Sequence, residues 1–183
     1  MNLAVSVVIA AFVIAIAIVV IFVARQRSAR LQRRFGPEYE RAVQESGSKY
    51  RAEARLGKLE KRVKKFDIRP LSSEERLRYR EQWRAIQARF VDDPDMALRQ
   101  ADEIVNEVMS ACGYPLTDFE DQAAQLSVDH PLIVEHYRDA HATAVRRAHG
   151  EGSTEDVRRA LIHYRTLFEE LVAEPIAVGG NRF

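Results

Sequence analysis

The longest uninterrupted apolar stretch of the chain lies at residues 3–23 (LAVSVVIAAFVIAIAIVVIFV), where Ser6 is the only polar side chain and no residue is charged. At about 1.5 Å per residue, a helix of this length extends roughly 31 Å, which matches a hydrocarbon core about 30 Å thick. A helix buried in a soluble core rarely needs so long a uniform run. The pattern therefore predicts one membrane-spanning helix, and we assign residues 1–24 to this anchor.

Further along the chain, apolar residues recur at spacings of three and four, the period of a helix, in five segments between residues 71 and 173. Each of these segments is preceded by a side chain that can accept a hydrogen bond from a backbone amide of the first helical turn. The predicted N-caps, in chain order, are Ser72, Asp93, Thr117 or Asp118, Asp129, and Ser153 or Thr154. The predicted core positions include Trp83, Val108, Leu126, Tyr137 and Phe168.

No segment alternates with the period of two that is typical of a strand. The predicted fold class is therefore all-α, with an N-terminal transmembrane helix, a basic helical connector and a small five-helix bundle. The predicted domains are the anchor at residues 1–24, the connector at 25–70, an acidic bundle at 71–173 and a flexible tail at 174–183.

The connector is predicted to be helical, with breaks at Gly36-Pro37 and at residues 46–48. Its helix at residues 49–66 carries a narrow apolar seam on a basic background. The seam residues through which a second copy could pair are Leu56, Leu59, Val63 and Phe66. Three interpretations stay open, namely pairing with another copy or with the downstream domain, a position along the inner leaflet, and a solvated charged stalk.

Positive charge is concentrated directly after the apolar run. Residues 25–69 contain 15 Arg/Lys against 6 Asp/Glu, whereas residues 70–183 contain 13 against 21, so the overall charge of +1 hides a basic half and an acidic half. Because basic flanks favour the cytoplasmic side, we expect the N-terminus outside and the domain in the cytoplasm. The alternative is a signal sequence that is cleaved after Ala24. It is disfavoured because such cleavage requires a small residue two positions before Ala24, where this chain has Phe22.

The same basic residues are candidates for contact with anionic lipid, since each Lys or Arg near such a surface contributes about 1 kcal/mol. The predicted membrane-surface contacts are Arg25, Arg27, Arg30, Arg33, Arg34, Lys58, Lys61, Arg62, Lys64 and Lys65.

A helical bundle can hold a carboxylate-bridged metal pair when Glu-x-x-His motifs point inward, and this chain contains no such motif. Glu103 and Glu107 are predicted to point away from the apolar face of their helix. His136 and His141, five residues apart, are separated by about 140° around theirs, so they do not share a metal ion. We therefore predict no catalytic, cofactor-binding or metal-ligating residue, and no cofactor.

Two side chains with reactive groups fit a structural role. Cys112, the only cysteine, lies on an apolar stripe and is predicted to be a small core residue. His141 lies at the edge of an apolar face and is predicted to be a partly buried core histidine. If a ligand binds between the last two long helices, the weak candidates for its pocket are Tyr137, His141 and Tyr164.

Several runs of the sequence carry a resemblance to known proteins. They are RFGPEYERAV, RPLSSEERLRYREQW, ARFVDDPDMALRQADEIV, GYPLTDFEDQAAQLSVDHP and STEDVRRALIHYRTLFEEL, and they cover most of the chain after the anchor. On these runs the chain resembles a family of bacterial single-pass membrane-anchored helical proteins with no assigned activity. The resemblance implies a bacterial inner-membrane setting and a helical domain, and it supplies no catalytic or binding residue.

The predicted function is that of a membrane-tethered, non-enzymatic interaction module, an adaptor or scaffold that presents an acidic helical domain on the cytoplasmic face to a protein partner. The alternative is a membrane-anchored enzyme or small-molecule sensor with a pocket between the last two long helices. Nucleic acid is not an expected partner, because a domain of net charge −8 repels phosphates.

Overall fold

The structure is a computed structural model that describes residues 3–173, and over this range it contains eight helices and no strand. The helices are α1 (Leu3–Phe35), α2 (Pro37–Ser46), α3 (Lys49–Val63), α4 (Ser73–Arg89), α5 (Pro94–Ala111), α6 (Phe119–Asp129), α7 (Val134–Ala148) and α8 (Thr154–Val172). The all-α prediction is confirmed. The chain forms two compact units, Met1–Lys58 and Leu59–Phe183. The tail predicted at residues 174–183 lies outside the described residues.

The first helix continues well past the apolar run and ends at Phe35, where Gly36 adopts a φ of 51° and Pro37 begins α2. Its large apolar side chains are exposed over residues 12–23; Phe12, for example, is 67% exposed. Within the described part of the chain, Ala11–Phe35 is the one stretch of helix long and apolar enough to cross a membrane, a property that an N-terminal signal sequence shares.

The part of the connector that belongs to the first unit, residues 25–58, has a small core of its own. Tyr39 of α2 is 2% exposed, and its hydroxyl donates to Glu53 Oε1 of α3 at 2.9 Å. The Ser28 hydroxyl of α1 donates to the same oxygen at 2.6 Å. Burial, followed by the bond to Glu53, raises the pKa of Tyr39 to about 12. Among residues 11–58, the buried apolar side chains are Leu31, Phe35, Tyr39, Ala42, Ala52 and Leu56. The sequence pattern predicted the helices and breaks here but not this core.

The second unit is built around α5, which contacts α4, α7 and α8, while α6 contacts α7. Trp83 of α4 and Phe168 of α8 stack with ring centroids 4.7 Å apart and are 5% and 2% exposed. Ala140 and Ala160 are fully buried and belong to the same core. Their small side chains explain how α7 and α8 pack closely together.

Four of the five predicted N-caps are confirmed. Ser72 and Ser153 form capping boxes with Glu75 and Asp156. Asp93 accepts from the Met96 amide, and Asp118 accepts from the Asp121 amide. Each side chain satisfies an amide that the first helical turn leaves without a partner.

The prediction that Asp129 is an N-cap is wrong. Asp129 is the last residue of α6, and α7 begins at Val134 after Ile133, whose side chain cannot cap. The physical reason is that Val128 is 3% exposed, so continuing α6 by one more turn buries an apolar side chain. The Asp129 carboxylate accepts instead from the Tyr114 hydroxyl at 3.2 Å.

The turn after α5 lies directly against the segment that leads into α4. The Arg69 amide donates to the Cys112 carbonyl at 2.9 Å. Gly113 has a φ of +95°, and a Cβ placed on it would be 2.3 Å from the Asp67 carbonyl oxygen. Only glycine fits this position, both for its backbone angle and for the space beside it.

Candidate functional site

A cluster of polar side chains lies inside the second unit, on α5 to α8. Tyr137 and Tyr164 are 1% and 0% exposed, and their rings meet edge to face with centroids 6.5 Å apart. The Tyr164 hydroxyl donates to Asp102 Oδ1 at 2.5 Å. The Tyr137 hydroxyl lies 3.3 Å from Asn106 Oδ1 and 3.3 Å from Gln122 Oε1, and it donates to one of them at a time. We call these five residues the polar cluster.

Both tyrosines of the polar cluster stay protonated. Burial raises the pKa of the Tyr164 phenol far above its usual range, and the charge of Asp102 and the bond to it raise the pKa further. Burial likewise raises the pKa of Tyr137, with Asp102 again adding to the rise. A phenol becomes a base only after it loses its proton. The tyrosines therefore serve as hydrogen-bond donors that hold α7 and α8 to the neighbouring helices.

His141 lies next to the polar cluster. Its ring stacks on Phe119, with centroids 3.7 Å apart and an interplanar angle of 10°. Its Nδ1 is 3.6 Å from Asp102 Oδ1, which is too long for a hydrogen bond. This nitrogen is buried and bonds to none of the residues that the structure describes. The structure thus brings the three predicted pocket residues, Tyr137, His141 and Tyr164, to one place, and their role in binding a ligand stays a prediction.

Sequence reasoning missed the part that Asp102 plays. The neighbouring Glu103 and Glu107 are exposed, as predicted. Asp102 sits one position before Glu103, at the edge of the apolar stripe, and its side chain is 28% exposed. That position at the stripe edge was the available signal, but the tyrosine that reaches it comes from a helix 62 residues away.

Two histidines from different helices also meet. His136 of α7 and His163 of α8 approach with their Nδ1 atoms 2.7 Å apart. Their ring centroids are 4.9 Å apart, and the ring planes are inclined by 30°. Both side chains are half-buried. No pattern in the sequence indicated that these two residues pair.

Cys112 is a core residue, as its position on the stripe predicted. It is 5% exposed, and burial raises the pKa of its thiol to about 11. A thiol with such a pKa holds almost no thiolate near neutral pH, so it is a poor nucleophile. The described residues, 3–173, contain no group of three or more His, Cys, Asp and Glu side chains that could hold a metal ion.

The ten basic residues predicted to contact the membrane are exposed, except that Arg34 is half-buried. Two of them have carboxylate partners in the second unit. Arg62 pairs with Asp121 of α6, and Lys64 Nζ lies 3.2 Å from Glu60. Their contact with lipid stays a prediction.

Two surface grooves flank α4. One, of about 260 Å³, lies between α4 and α5 and includes Arg89 and Glu103. The other, of about 400 Å³, lies between α4 and α8. We call this second one the α4/α8 groove. The residues of the α4/α8 groove used below are Arg80, Trp83, Arg84, Gln87, Arg165, Phe168 and Glu169.

The α4/α8 groove combines positive charge with an aromatic wall. Arg80 and Arg84 are exposed and form no ion pair with the part of the chain that the structure describes. Arg165 is bonded to Glu169 at 2.6 Å. The buried Trp83 Nε1 bonds to no described residue. This concentration of arginine is notable because residues 70–183 are acidic as a whole.

Comparisons with models of known protein families, with curated proteins and with solved structures each found no match. The family resemblance drawn from the sequence therefore stays a prediction, and function has to be argued from the residues described above.

Proposed function

We propose that this chain is a single-pass membrane protein that holds a non-enzymatic protein-binding module at the cytoplasmic face of a bacterial inner membrane. The observation that carries the proposal is α1, whose large apolar side chains over residues 12–23 are exposed. Exposed apolar surface of this extent is stable in lipid rather than in water. Tethering raises the local concentration of the module for partners at the membrane.

The orientation is argued from charge. Arg25, Arg27 and Arg33 follow the apolar stretch on exposed positions of the same helix. Basic residues next to a span favour the cytoplasmic side, where anionic headgroups attract them. The basic residues of the connector extend this attraction along the inner leaflet.

Binding rather than catalysis is supported by the interior of the second unit. The two tyrosine hydroxyls of the polar cluster donate to Asp102 and to an amide oxygen, so this buried polar group is largely satisfied within the protein. A catalytic site needs groups that are free to exchange protons with a substrate. The tyrosines, with their raised pKa values, do not offer such groups.

The surface that we assign to the partner is the α4/α8 groove. Arg80 and Arg84 lie one helical turn apart and point along the same side of α4. Arginine is among the residue types that contribute most to protein interfaces, and both arginines are exposed, whereas Trp83 and Phe168 are buried beneath them in the core. We therefore propose that the groove binds an acidic segment of a protein partner.

The experiment is crosslinking from the full chain in the membranes of cells that express it. A photo-crosslinking residue at Gln87, in the groove, should capture one protein, whereas the same residue at the exposed Ser110 of α5 should not. The double variant Arg80→Glu/Arg84→Glu should lose the product, because like charges across an interface cost several kcal/mol.

Arg89→Glu is the matched control. It also reverses an exposed charge of α4, but Arg89 lines the groove between α4 and α5. It should leave the product unchanged. The proposal fails if Gln87 captures no protein, or if the double variant crosslinks as well as the unaltered chain.

Pairing of two copies through Leu56, Leu59, Val63 and Phe66 is a weaker proposal. The first three of these residues are already buried within the chain, at 3%, 8% and 3% exposure. Pairing through them would require the segment to open.

One observation favours the alternative of an enzyme or small-molecule sensor. The buried Nδ1 of His141 has no hydrogen-bond partner among the described residues. A ligand that reached it would also meet Asp102, whose Oδ1 is 3.6 Å away. A small molecule captured at His141, with no protein crosslinked from Gln87, would favour this alternative.

A further inference from the structure

The paired histidines of α7 and α8 are the feature of the second unit that the binding function does not use. His136 and His163 come from different helices and direct the same type of nitrogen, Nδ1, at one point, with 2.7 Å between the two atoms. Nδ1 is the ring nitrogen nearer the backbone. Such an approach therefore requires that the two helices pack closely, which the buried Ala140 and Ala160 allow.

Without a metal ion, this approach is a hydrogen bond in which one ring donates and the other accepts. The centroid separation of 4.9 Å fits two rings that meet edge to edge with their nitrogen atoms facing. Two imidazole nitrogens from separate, packed helices are also the arrangement that binds a borderline transition-metal ion, because neutral imidazole is a preferred ligand of zinc, copper and nickel.

We propose that His136 and His163 form a binding site for a divalent transition-metal ion of the zinc type. Two nitrogens that each lie about 2.0 Å from a tetrahedral ion are about 3.3 Å apart. The pair therefore has to widen by only about 0.6 Å, a change that rotation of the two side chains supplies. The ion would join α7 to α8 across their interface.

The site offers two protein ligands and leaves the other positions to water. The described residues contain no third ligand already in place. Asp139 is exposed and lies three residues after His136, on the same side of α7. It is therefore the acidic residue of α7 that shares a helix face with His136. On α8, the basic residue that shares a helix face with His163 is Arg159, four residues earlier. Its guanidinium pairs with the Asp156 carboxylate at 2.5 Å.

The proton balance of binding is simple. In the metal-free pair of neutral rings, one ring carries its proton on Nδ1 and the other carries it on Nε2. When the ion binds, both Nδ1 atoms become ligands, and the first ring moves its proton to Nε2 through solvent. No net proton is released, and neither ring changes its charge.

The test is zinc chloride titrated calorimetrically into the full chain in detergent, purified without a polyhistidine tag. We expect one ion per chain and a higher midpoint of thermal unfolding with zinc than without it. His136→Gln and His163→Gln should each weaken zinc binding by at least about tenfold, because each removes one of the two nitrogen ligands.

Two further variants separate a metal site from a structural hydrogen bond. His149→Gln is the matched control, since His149 is exposed at the end of α7 and its Nδ1 contacts the Val145 carbonyl at 2.8 Å; it should bind zinc as the unaltered chain does. His163→Cys replaces the nitrogen by a thiolate, a ligand of similar reach, and should retain zinc binding where His163→Gln does not.

The absence of zinc binding by the unaltered chain overturns the proposal, whatever the variants do. So does a result in which His136→Gln and His163→Gln lower the thermal midpoint without zinc but bind zinc with unchanged affinity, since the pair is then a hydrogen bond only. The proposed binding of a protein at the α4/α8 groove is not affected by either outcome, because the groove contains neither histidine.

Discussion

Trp83→Ala is expected to destabilise the second unit by about 3 to 5 kcal/mol, the largest effect of any single change proposed here. Trp83 is 5% exposed and stacks on Phe168, so truncation removes the contact between α4 and α8 and leaves a cavity that the helices cannot fill. Domains of this size are stable by only about 5 to 15 kcal/mol. The measurement is chemical unfolding of the full chain in detergent, followed by helical circular dichroism.

Two control variants accompany it. Glu103→Ala changes an exposed residue of α5 and should cost less than about 0.5 kcal/mol. Trp83→Phe keeps an aromatic ring against Phe168 and removes a buried N–H that bonds to no described residue, so its cost should be well below that of Trp83→Ala. If Glu103→Ala is as harmful as Trp83→Ala, the assignment of helix faces is incorrect.

Gly113→Ala is expected to cost at least about 2 kcal/mol, the second largest effect. A non-glycine residue held at positive φ costs about 1 to 3 kcal/mol. In addition, the new Cβ would lie 2.3 Å from the Asp67 carbonyl oxygen, so the backbone of one segment has to move. The chain has a single tryptophan, Trp83, which belongs to the second unit, so its fluorescence reports the unfolding of that unit.

Gly150→Ala is the matched control for this prediction. Gly150 also has a positive φ, +78°, but no described residue lies within 4 Å of its added Cβ. It should therefore show only the backbone cost, about 1 to 2 kcal/mol. Equal destabilisation by the two substitutions would mean that the Asp67 segment does not lie against Gly113 in solution.

The sequence predicted the local structure of this chain well because the signals for it are local. Helical spacing of apolar residues and side chains that accept from the first turn depend on residues three or four apart. Ser72 and Ser153 were identified as caps from such short patterns, and both form capping boxes. The exception, Asp129, had an equally good local signal, but burial of Val128 extended α6 instead.

The candidate sites could be predicted only in part, because they depend on which helices pack together. The pattern placed Tyr137 and Tyr164 on apolar faces and His141 at the edge of one, and the structure brings the three side chains together. It could not reveal that Tyr164 reaches Asp102, or that His136 meets His163. Those partners are 62 and 27 residues apart in sequence, and no local periodicity encodes such distances.

The connector shows the same limit in another form. Its seam and its high charge suggested a pairing helix, a helix on the membrane surface or a solvated stalk. None of these interpretations predicted a core shared by α1, α2 and α3. In the structure, Tyr39 of α2 and Ser28 of α1 both donate to Glu53 of α3, which lies among Arg and Lys residues in the sequence. This single carboxylate accepts hydrogen bonds from two hydroxyl groups and links three helices around a small core. Composition alone does not indicate such a core.

The central claim is that the chain stays anchored by α1 with its helical domain in the cytoplasm, and one measurement of topology tests it most directly. A reporter that is active only in the cytoplasm and one that is active only in the periplasm are fused in turn after Phe183, and the first residues of the mature chain are identified by mass spectrometry. We expect activity of the cytoplasmic reporter alone, resistance of the domain to external protease, and retention of the apolar segment in a chain that remains in the membrane. Activity of the periplasmic reporter, or a mature chain that begins after Ala24, would contradict the account.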